Sequence, residues 1–137
     1  MTTFPASAVL VPGAAEAEVV ALSEPLSFWG GLDPATGCIT DVHHPDHGTC
    51  VTGRILVMPS GRGSSSSSSV LAEAIRSGTG PAAIVLAAAD PIVALGAIVA
   101  EELYGRTVPV LEVDDAVYPA VAAAARLRIR GANLEVA

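Results

Sequence analysis

The chain has 137 residues, 51% of them hydrophobic and only 15% charged, which fits a single folded domain over 1–137 and excludes a disordered chain. Seven arginines, no lysine and fourteen acidic residues leave a net charge of −7, so neither a nucleic-acid backbone nor an anionic membrane surface is an expected partner. No apolar run is long enough to span a bilayer, and Met1 to Ser7 places no basic residue ahead of an apolar stretch, so no secretory signal is expected. Aromatic residues are scarce, so the core must be built from Val, Leu, Ile and Ala. Apolar content this high in so short a chain points to surface covered by a partner.

Ala8 to Val11 reads as a short strand that Pro12-Gly13 turns, and Glu16 to Leu22 as a second strand. Ser23 to Thr49 is dense in Pro and Gly, which excludes a long helix and marks a functional loop. Val51 to Met58 is the clearest strand, and its Ile-Leu-Val run predicts burial on both faces. After a turn at Pro59 to Gly63 come six serines, Ser64 to Ser69. Val70, Leu71, Ala74 and Ile75 then repeat at helical spacing until Gly78 and Gly80. Ala82 to Leu86 is another buried strand. Asp90-Pro91 has the form of an N-cap followed by a first-turn proline, opening a helix through Leu103. Val108 to Val113 predicts a strand, Asp114 or Asp115 the cap of a helix through Ala125, and Leu127 to Val136 two strands around Gly131. The pattern is mixed α/β, with a central sheet or open barrel flanked by helices.

The serine run could be a flexible linker, or an ordered first turn in which one serine caps the helix. Its position between a buried strand and an amphipathic helix favours order. A Gly-Arg-Gly turn entering a helix also presents backbone N–H groups at a positive dipole end, and Arg62 adds a fork for a carboxylate or phosphate. A serine base here needs help. Lowering an alcohol from about 15.7 to about 7 takes roughly 12 kcal/mol, whereas a helix terminus supplies at most about 2 kcal/mol. No His–carboxylate pair near the serines completes a triad, so a catalytic serine implies a site finished by another chain. Cys38 and Cys50 are too few for a disulfide scaffold and fit no zinc spacing, so two reduced cysteines in a cytoplasmic protein are expected. His43, His44 and His47 share a loop with Asp41, Asp46 and Cys50; the residue types suit a transition metal, but the spacing matches no signature and a polar surface loop is the expectation. Ser27-Phe28-Trp29-Gly30-Gly31 holds the only tryptophan, either anchored in the core or facing a ligand.

Three stretches together resemble the small subunit, or swivel domain, of the aconitase X family. They are Glu24-Pro25-Leu26-Ser27-Phe28-Trp29-Gly30-Gly31-Leu32-Asp33-Pro34, Pro59-Ser60-Gly61-Arg62-Gly63-Ser64-Ser65-Ser66, and Asp90-Pro91-Ile92-Val93-Ala94-Leu95-Gly96-Ala97. The resemblance implies a swivelling β/β/α domain and a hydro-lyase small subunit, active only with a large partner that carries an iron–sulfur cluster. This chain would hold no metal itself. The resemblance further implies Ser64 as the base, or Ser65 if the register of the serine tract slips by one. Arg62, Gly63 and Ser65 would contact a substrate anion, with the Gly30-Gly31 loop facing the substrate. Two activities follow from it: dehydration of cis-3-hydroxy-L-proline to pyrroline-2-carboxylate, which the Ser-Phe-Trp-Gly-Gly loop and Arg62 resemble more, and dehydration of mevalonate 5-phosphate. From the residues alone, a non-catalytic module holding a small anion at the Ser64 turn stands as the alternative.

Overall fold

A computed structural model describes residues 2–136. Its strands are β1 (Thr2–Pro5), β2 (Ala8–Val11), β3 (Ala14–Ala21), β4 (Leu32–Asp33), β5 (Cys38–Ile39), β6 (Ile55–Met58), β7 (Ala83–Leu86), β8 (Val110–Glu112), β9 (Arg126–Arg130) and β10 (Asn133–Val136). Its helices are α1 (Phe28–Gly31), α2 (Ser67–Ser77), α3 (Pro91–Tyr104) and α4 (Tyr118–Ala122). Eight strands make one sheet in the order β1-β10-β9-β3-β6-β7-β8-β2, while β4 and β5 pair separately. β3 joins the two halves: Ala14–Glu18 run antiparallel to β9, and Val19–Ala21 run parallel to β6. The two outer strands are neighbours in sequence. Between them, Ala6 N–H donates to the Ala132 carbonyl and Ser7 N–H to the Glu112 carbonyl, each at 2.8 Å. One N-terminal run therefore lies against both β10 and β8, and the sheet curls towards a barrel.

β6 and β7 are buried on both faces, as their continuous β-branched and aliphatic runs require in a parallel sheet. Alternate side chains feed two cores. Leu56, Met58, Ile84 and Leu86 pack under α2 and α3 with Leu71, Ala74, Val93 and Ala97. Ile55, Val57, Val85 and Leu111 pack inside the curl with Val121, Leu127, Ile129 and Leu134. α2 and α3 cross closely because Gly96 has no side chain: a Cβ there would lie 2.8 Å from the Ser68 carbonyl oxygen. Both helices end on glycines in the left-handed region, Gly78 and Gly105, whose conformation costs glycine nothing. Among the described residues no helix is long and apolar enough to cross a membrane.

Four expectations change. The strand predicted over Val51 to Met58 begins only at Ile55, because Gly53 (φ +68°) forms a turn closed by Arg54 N–H to the Val51 carbonyl at 3.0 Å. The last helix shrinks to Tyr118–Ala122: the Asp114 backbone carbonyl, not an acidic side chain, receives the N–H groups of Val117 and Tyr118 at 2.9 Å. β1, absent from the sequence reading, exists because β10 offers it a full antiparallel register. The cysteines are not reduced. Cys38 and Cys50 face one another across an isolated antiparallel bridge and are joined as a disulfide. Counting cysteines missed this, because the pairing arises where β5 folds back on the Cys50 segment.

Candidate active site

The three stretches singled out in the sequence meet at one place. Leu26 forms an isolated parallel bridge with Gly61, which sets the Ser27–Gly31 loop beside the serine turn. Asp90 reaches the same turn from the start of α3. A Cβ on Gly61 would stand 2.1 Å from Asp90 Oδ2 and 2.9 Å from its Cγ, so any side chain there must displace the Asp90 carboxylate. The result is a crevice with Leu26, Phe28, Ile92 and Val93 as its apolar wall and Arg62, Gly63, Ser64, Ser67 and Asp90 as its polar wall. Its empty space is about 170 Å³, open to solvent, with no enclosed room for a water molecule.

The serine tract is ordered, and its members divide the work. Ser64 Oγ accepts the Ser66 N–H at 3.1 Å, and the Ser64 carbonyl accepts the Ser67 N–H at 3.0 Å. These bonds turn the chain into α2. A backbone N–H aimed at Ser64 Oγ favours the charged form of that oxygen over the neutral one. The N-cap residue of α2 makes no side-chain cap and its first turn holds no acidic residue, so no charged side chain answers its positive end beside Ser64. α3 starts at the same crevice but is capped: Asp90 Oδ1 accepts the N–H groups of Ile92 at 2.8 Å and Val93 at 3.4 Å, as the sequence predicts.

Arg62, Gly63 and Ser64 therefore share one crevice. Ser65 is exposed and outside its lining, its carbonyl accepting the Ser68 hydroxyl at 2.9 Å. Arg62 is 54% exposed and lies 3.7 Å from Glu24 Oε1, a surface pair weak enough to release the guanidinium to an arriving anion. Gly63 adopts φ +85° and faces Ser27 Oγ. Gly30, at φ +75° with open space around it, is exposed, whereas Gly31 is buried and its carbonyl accepts the Thr40 N–H at 2.8 Å. Neither glycine lines the crevice. Phe28 is fully buried and Trp29 is 59% exposed, so the aromatic pair both anchors the loop and presents a ring at its rim.

Sequence reasoning missed Ser67 and Ser27. Ser67 is only 4% exposed; its hydroxyl accepts the Trp29 N–H at 3.1 Å and lies 3.3 Å from Ser27 Oγ. Nothing in the one-dimensional pattern links residues 40 positions apart. Asp90 was visible as a cap but not as a wall of the crevice. The loop support behind Leu26 comes from His44, which is 5% exposed. Its Nε2 donates to the Glu24 carbonyl at 3.3 Å and its Nδ1 accepts the Asp46 N–H at 3.0 Å. With both ring nitrogens engaged, His44 is a brace rather than a ligand. The donor set does not fit an iron–sulfur cluster either: Cys38 and Cys50 are joined to each other, and no three His, Cys, Asp or Glu among the described residues converge on a metal position. Glu112 steadies the Asp90 segment from behind. Its carboxylate accepts the Ser7 hydroxyl and the Ala89 N–H, both at 2.8 Å, and these bonds, the hydroxyl's first, hold its pKa below the ordinary carboxylate value.

Comparison with known proteins gives this geometry a family. The family described as "Aconitase X swivel domain" matches residues 6–137. A cis-3-hydroxy-L-proline dehydratase of Pseudomonas aeruginosa is 52% identical over 101 residues, which are 74% of this chain and 17% of that protein. The chain thus spans about a sixth of the length of that relative. A phosphomevalonate dehydratase small subunit of Pyrococcus furiosus is 48% identical over 91 residues, 66% of this chain and 68% of that subunit. The crystal structure of Thermococcus kodakaraensis aconitase X in its holo form superposes with a TM-score of 0.85 at 31% identity, covering 100% of this chain and 99% of that one. Matched by that family over residues 6–137 and superposing on an aconitase X structure along its whole length, the chain belongs to the aconitase X swivel domain family.

Proposed function

We propose that this chain is the small subunit of a two-chain hydro-lyase that dehydrates a small hydroxy acid, cis-3-hydroxy-L-proline first among the candidates. Ser64 is the base. Arg62 holds the substrate's anionic group and Gly63 lets it approach the backbone, while Ser65 and Gly30, exposed outside the crevice lining, would meet the substrate from the rim once the large subunit covers it; the buried Gly31 would not. The reading rests on one observation above all: the stretches that carry the family resemblance converge on a crevice where a backbone N–H is aimed at Ser64 Oγ. Dehydration removes a carbon-bound proton and a hydroxide. Ser64 Oγ, as the alkoxide that the Ser66 N–H and the positive end of α2 favour, receives the proton, and the hydroxide would leave on the side of the large subunit, whose cluster would supply the Lewis acid that accepts it.

The magnitudes also call for a partner. A hydrogen bond to a charged group is worth about 1.5–3 kcal/mol and a helix end up to about 2 kcal/mol. Together they reach less than half of the roughly 12 kcal/mol that a serine base requires near neutral pH. The crevice is also too narrow to enclose a substrate without a covering surface. A large subunit would supply that surface and the remaining stabilisation. An iron–sulfur cluster, for which no ligand set converges among the described residues, would be held there, in a heterodimer.

A second substrate reading has its own support. The chain matches the Pyrococcus furiosus phosphomevalonate dehydratase small subunit at 48% identity over two thirds of both proteins. Co-expression with an aconitase X large subunit, followed by dehydratase assays on cis-3-hydroxy-L-proline and mevalonate 5-phosphate, decides between them. Turnover of one substrate that requires both chains and disappears in Ser64→Ala is the expected result. A complex whose Ser64→Ala form keeps full activity overturns the base assignment. Absence of both complex and turnover favours the small-anion-binding module.

A further inference from the structure

We infer that Ser67 is a positioning residue, whose hydroxyl latches the Trp29 loop onto the Ser64 turn and so sets the rim of the site; the inference rests on the dehydratase reading above. The protons can be assigned by counting. Ser27 has one O–H, and it donates to the Trp29 carbonyl at 3.0 Å. The 3.3 Å contact between Ser27 Oγ and Ser67 Oγ therefore takes its proton from Ser67. Ser67 in turn accepts the Trp29 N–H at 3.1 Å. The three bonds form a closed ring, from Trp29 N–H to Ser67, to Ser27, and back to Trp29 C=O. Both polar groups of the Trp29 backbone are satisfied by it, and bonds in such a ring polarise one another.

The ring spans two motifs that share no helix or strand. Ser67 is the first residue of α2, three residues beyond Ser64, and its N–H is held by the Ser64 carbonyl at 3.0 Å. Within the loop, the backbone departs from helical geometry at Trp29 and Gly30, so no regular hydrogen-bond ladder fixes it there. Phe28 anchors the loop in the core, but an anchored ring leaves the next peptide free to rotate. Ser67 removes that freedom. Without its hydroxyl, the exposed Trp29 ring and Gly30 lose their registration against Ser64.

Trp29 is the only tryptophan, so its fluorescence reports on this loop in the full chain with no other signal. Ser67→Ala is expected to lower the steady-state anisotropy of Trp29 while far-UV circular dichroism stays unchanged. Ser27→Ala should do the same, and the double variant should add little to either, because one ring is broken once. Ser67→Thr, which keeps the hydroxyl, should restore the anisotropy. In the complex with the large subunit, kcat/KM of Ser67→Ala should fall about tenfold, the scale of one lost hydrogen bond, with the pH profile unmoved because the base is untouched. Unchanged anisotropy in a folded Ser67→Ala or Ser27→Ala chain overturns the latch. A loosened loop with unchanged kcat/KM overturns its positioning role. If the wild-type complex has no dehydratase activity, the proposed function fails instead, and the anisotropy still decides the latch. Should Ser67→Ala not fold, Ser27→Ala carries the same test, since it leaves α2 intact.

Discussion

Gly61→Ala tests the convergence of motifs on which the site depends. A methyl group at Gly61 would sit 2.1 Å from Asp90 Oδ2, with Val93 Cγ2 at 3.0 Å. The carboxylate has to turn away, and in doing so it gives up the Ile92 and Val93 N–H groups that it caps. Loss of an N-cap costs about 1 kcal/mol, and crowding in a packed site adds about 1–3 kcal/mol. The single variant should therefore lose about 2–4 kcal/mol. At about 4 °C per kcal/mol for a domain of this size, that is a fall in Tm of about 8–16 °C. Asp90→Ala alone loses only the cap, about 1 kcal/mol, or about 4 °C. In the double variant the clash with the carboxylate is gone and the cap is already lost. Its Tm should lie no lower than that of Gly61→Ala alone, and the coupling should reach about 1 kcal/mol or more. Thermal unfolding followed by circular dichroism on the four proteins measures the cycle. Additive losses would refute the reasoning, because they would mean that the added methyl group and the Asp90 carboxylate never compete for the same space.

Other perturbations probe the frame around the site. The disulfide closes a loop with a sequence separation of 12, so Cys38→Ser with Cys50→Ser should lower stability by about 3 kcal/mol; a Tm that a dithiol reductant leaves unmoved, with both thiols titratable, would contradict this. Glu112 has its pKa depressed by Ser7 and Ala89, so its contribution is present above the ordinary carboxylate value of 4.5 and is lost as pH falls through the folded-state value. Glu112→Gln should accordingly flatten the acid limb of a stability-versus-pH curve below about pH 4.5; an unchanged acid limb would remove Glu112 as its source. Gly96→Ala, whose Cβ would lie 2.8 Å from the Ser68 carbonyl, should push α3 off α2 at a cost of about 1–3 kcal/mol in a urea titration. No loss would mean that the two helices separate freely.

Local chemistry made the middle of the chain legible. The continuous run Ile55–Met58, the glycine stop at Gly78 and the Asp90-Pro91 start each encode their element within a few residues. What escaped depends on distant partners. Thr2–Pro5 has no alternation of its own and becomes a strand because β10 pairs with it. Cys38 meets Cys50 only after β5 folds back. The site divides in the same way. Gly61 to Ser64 stood out as a strand-to-helix turn with an anion-binding character, and Arg62, Gly63 and Ser64 do share a crevice. Ser67 looked like one more serine in a tract, because its partners Ser27 and Trp29 lie 40 and 38 positions away.

The two helix starts explain why charge should collect at Ser64 and not elsewhere in the crevice. α2 and α3 both begin there, so both direct the partial positive charge of their N-termini into it. At α3 that charge is answered: Asp90 places a full carboxylate on the first free N–H groups. At α2 no charged side chain answers it, since the first turn holds no acid and the N-cap residue makes no side-chain cap. Six consecutive serines achieve this. They are polar enough to keep the turn hydrated and ordered, yet they carry no charge that would cancel the dipole. Ser66→Asp would answer α2 as Asp90 answers α3. That variant should gain helix stability by about 0.3–1 kcal/mol while weakening any anion at the Ser64 turn. Opposed changes in stability and anion affinity would separate a dipole kept open for function from a tract of serines that merely fills a turn.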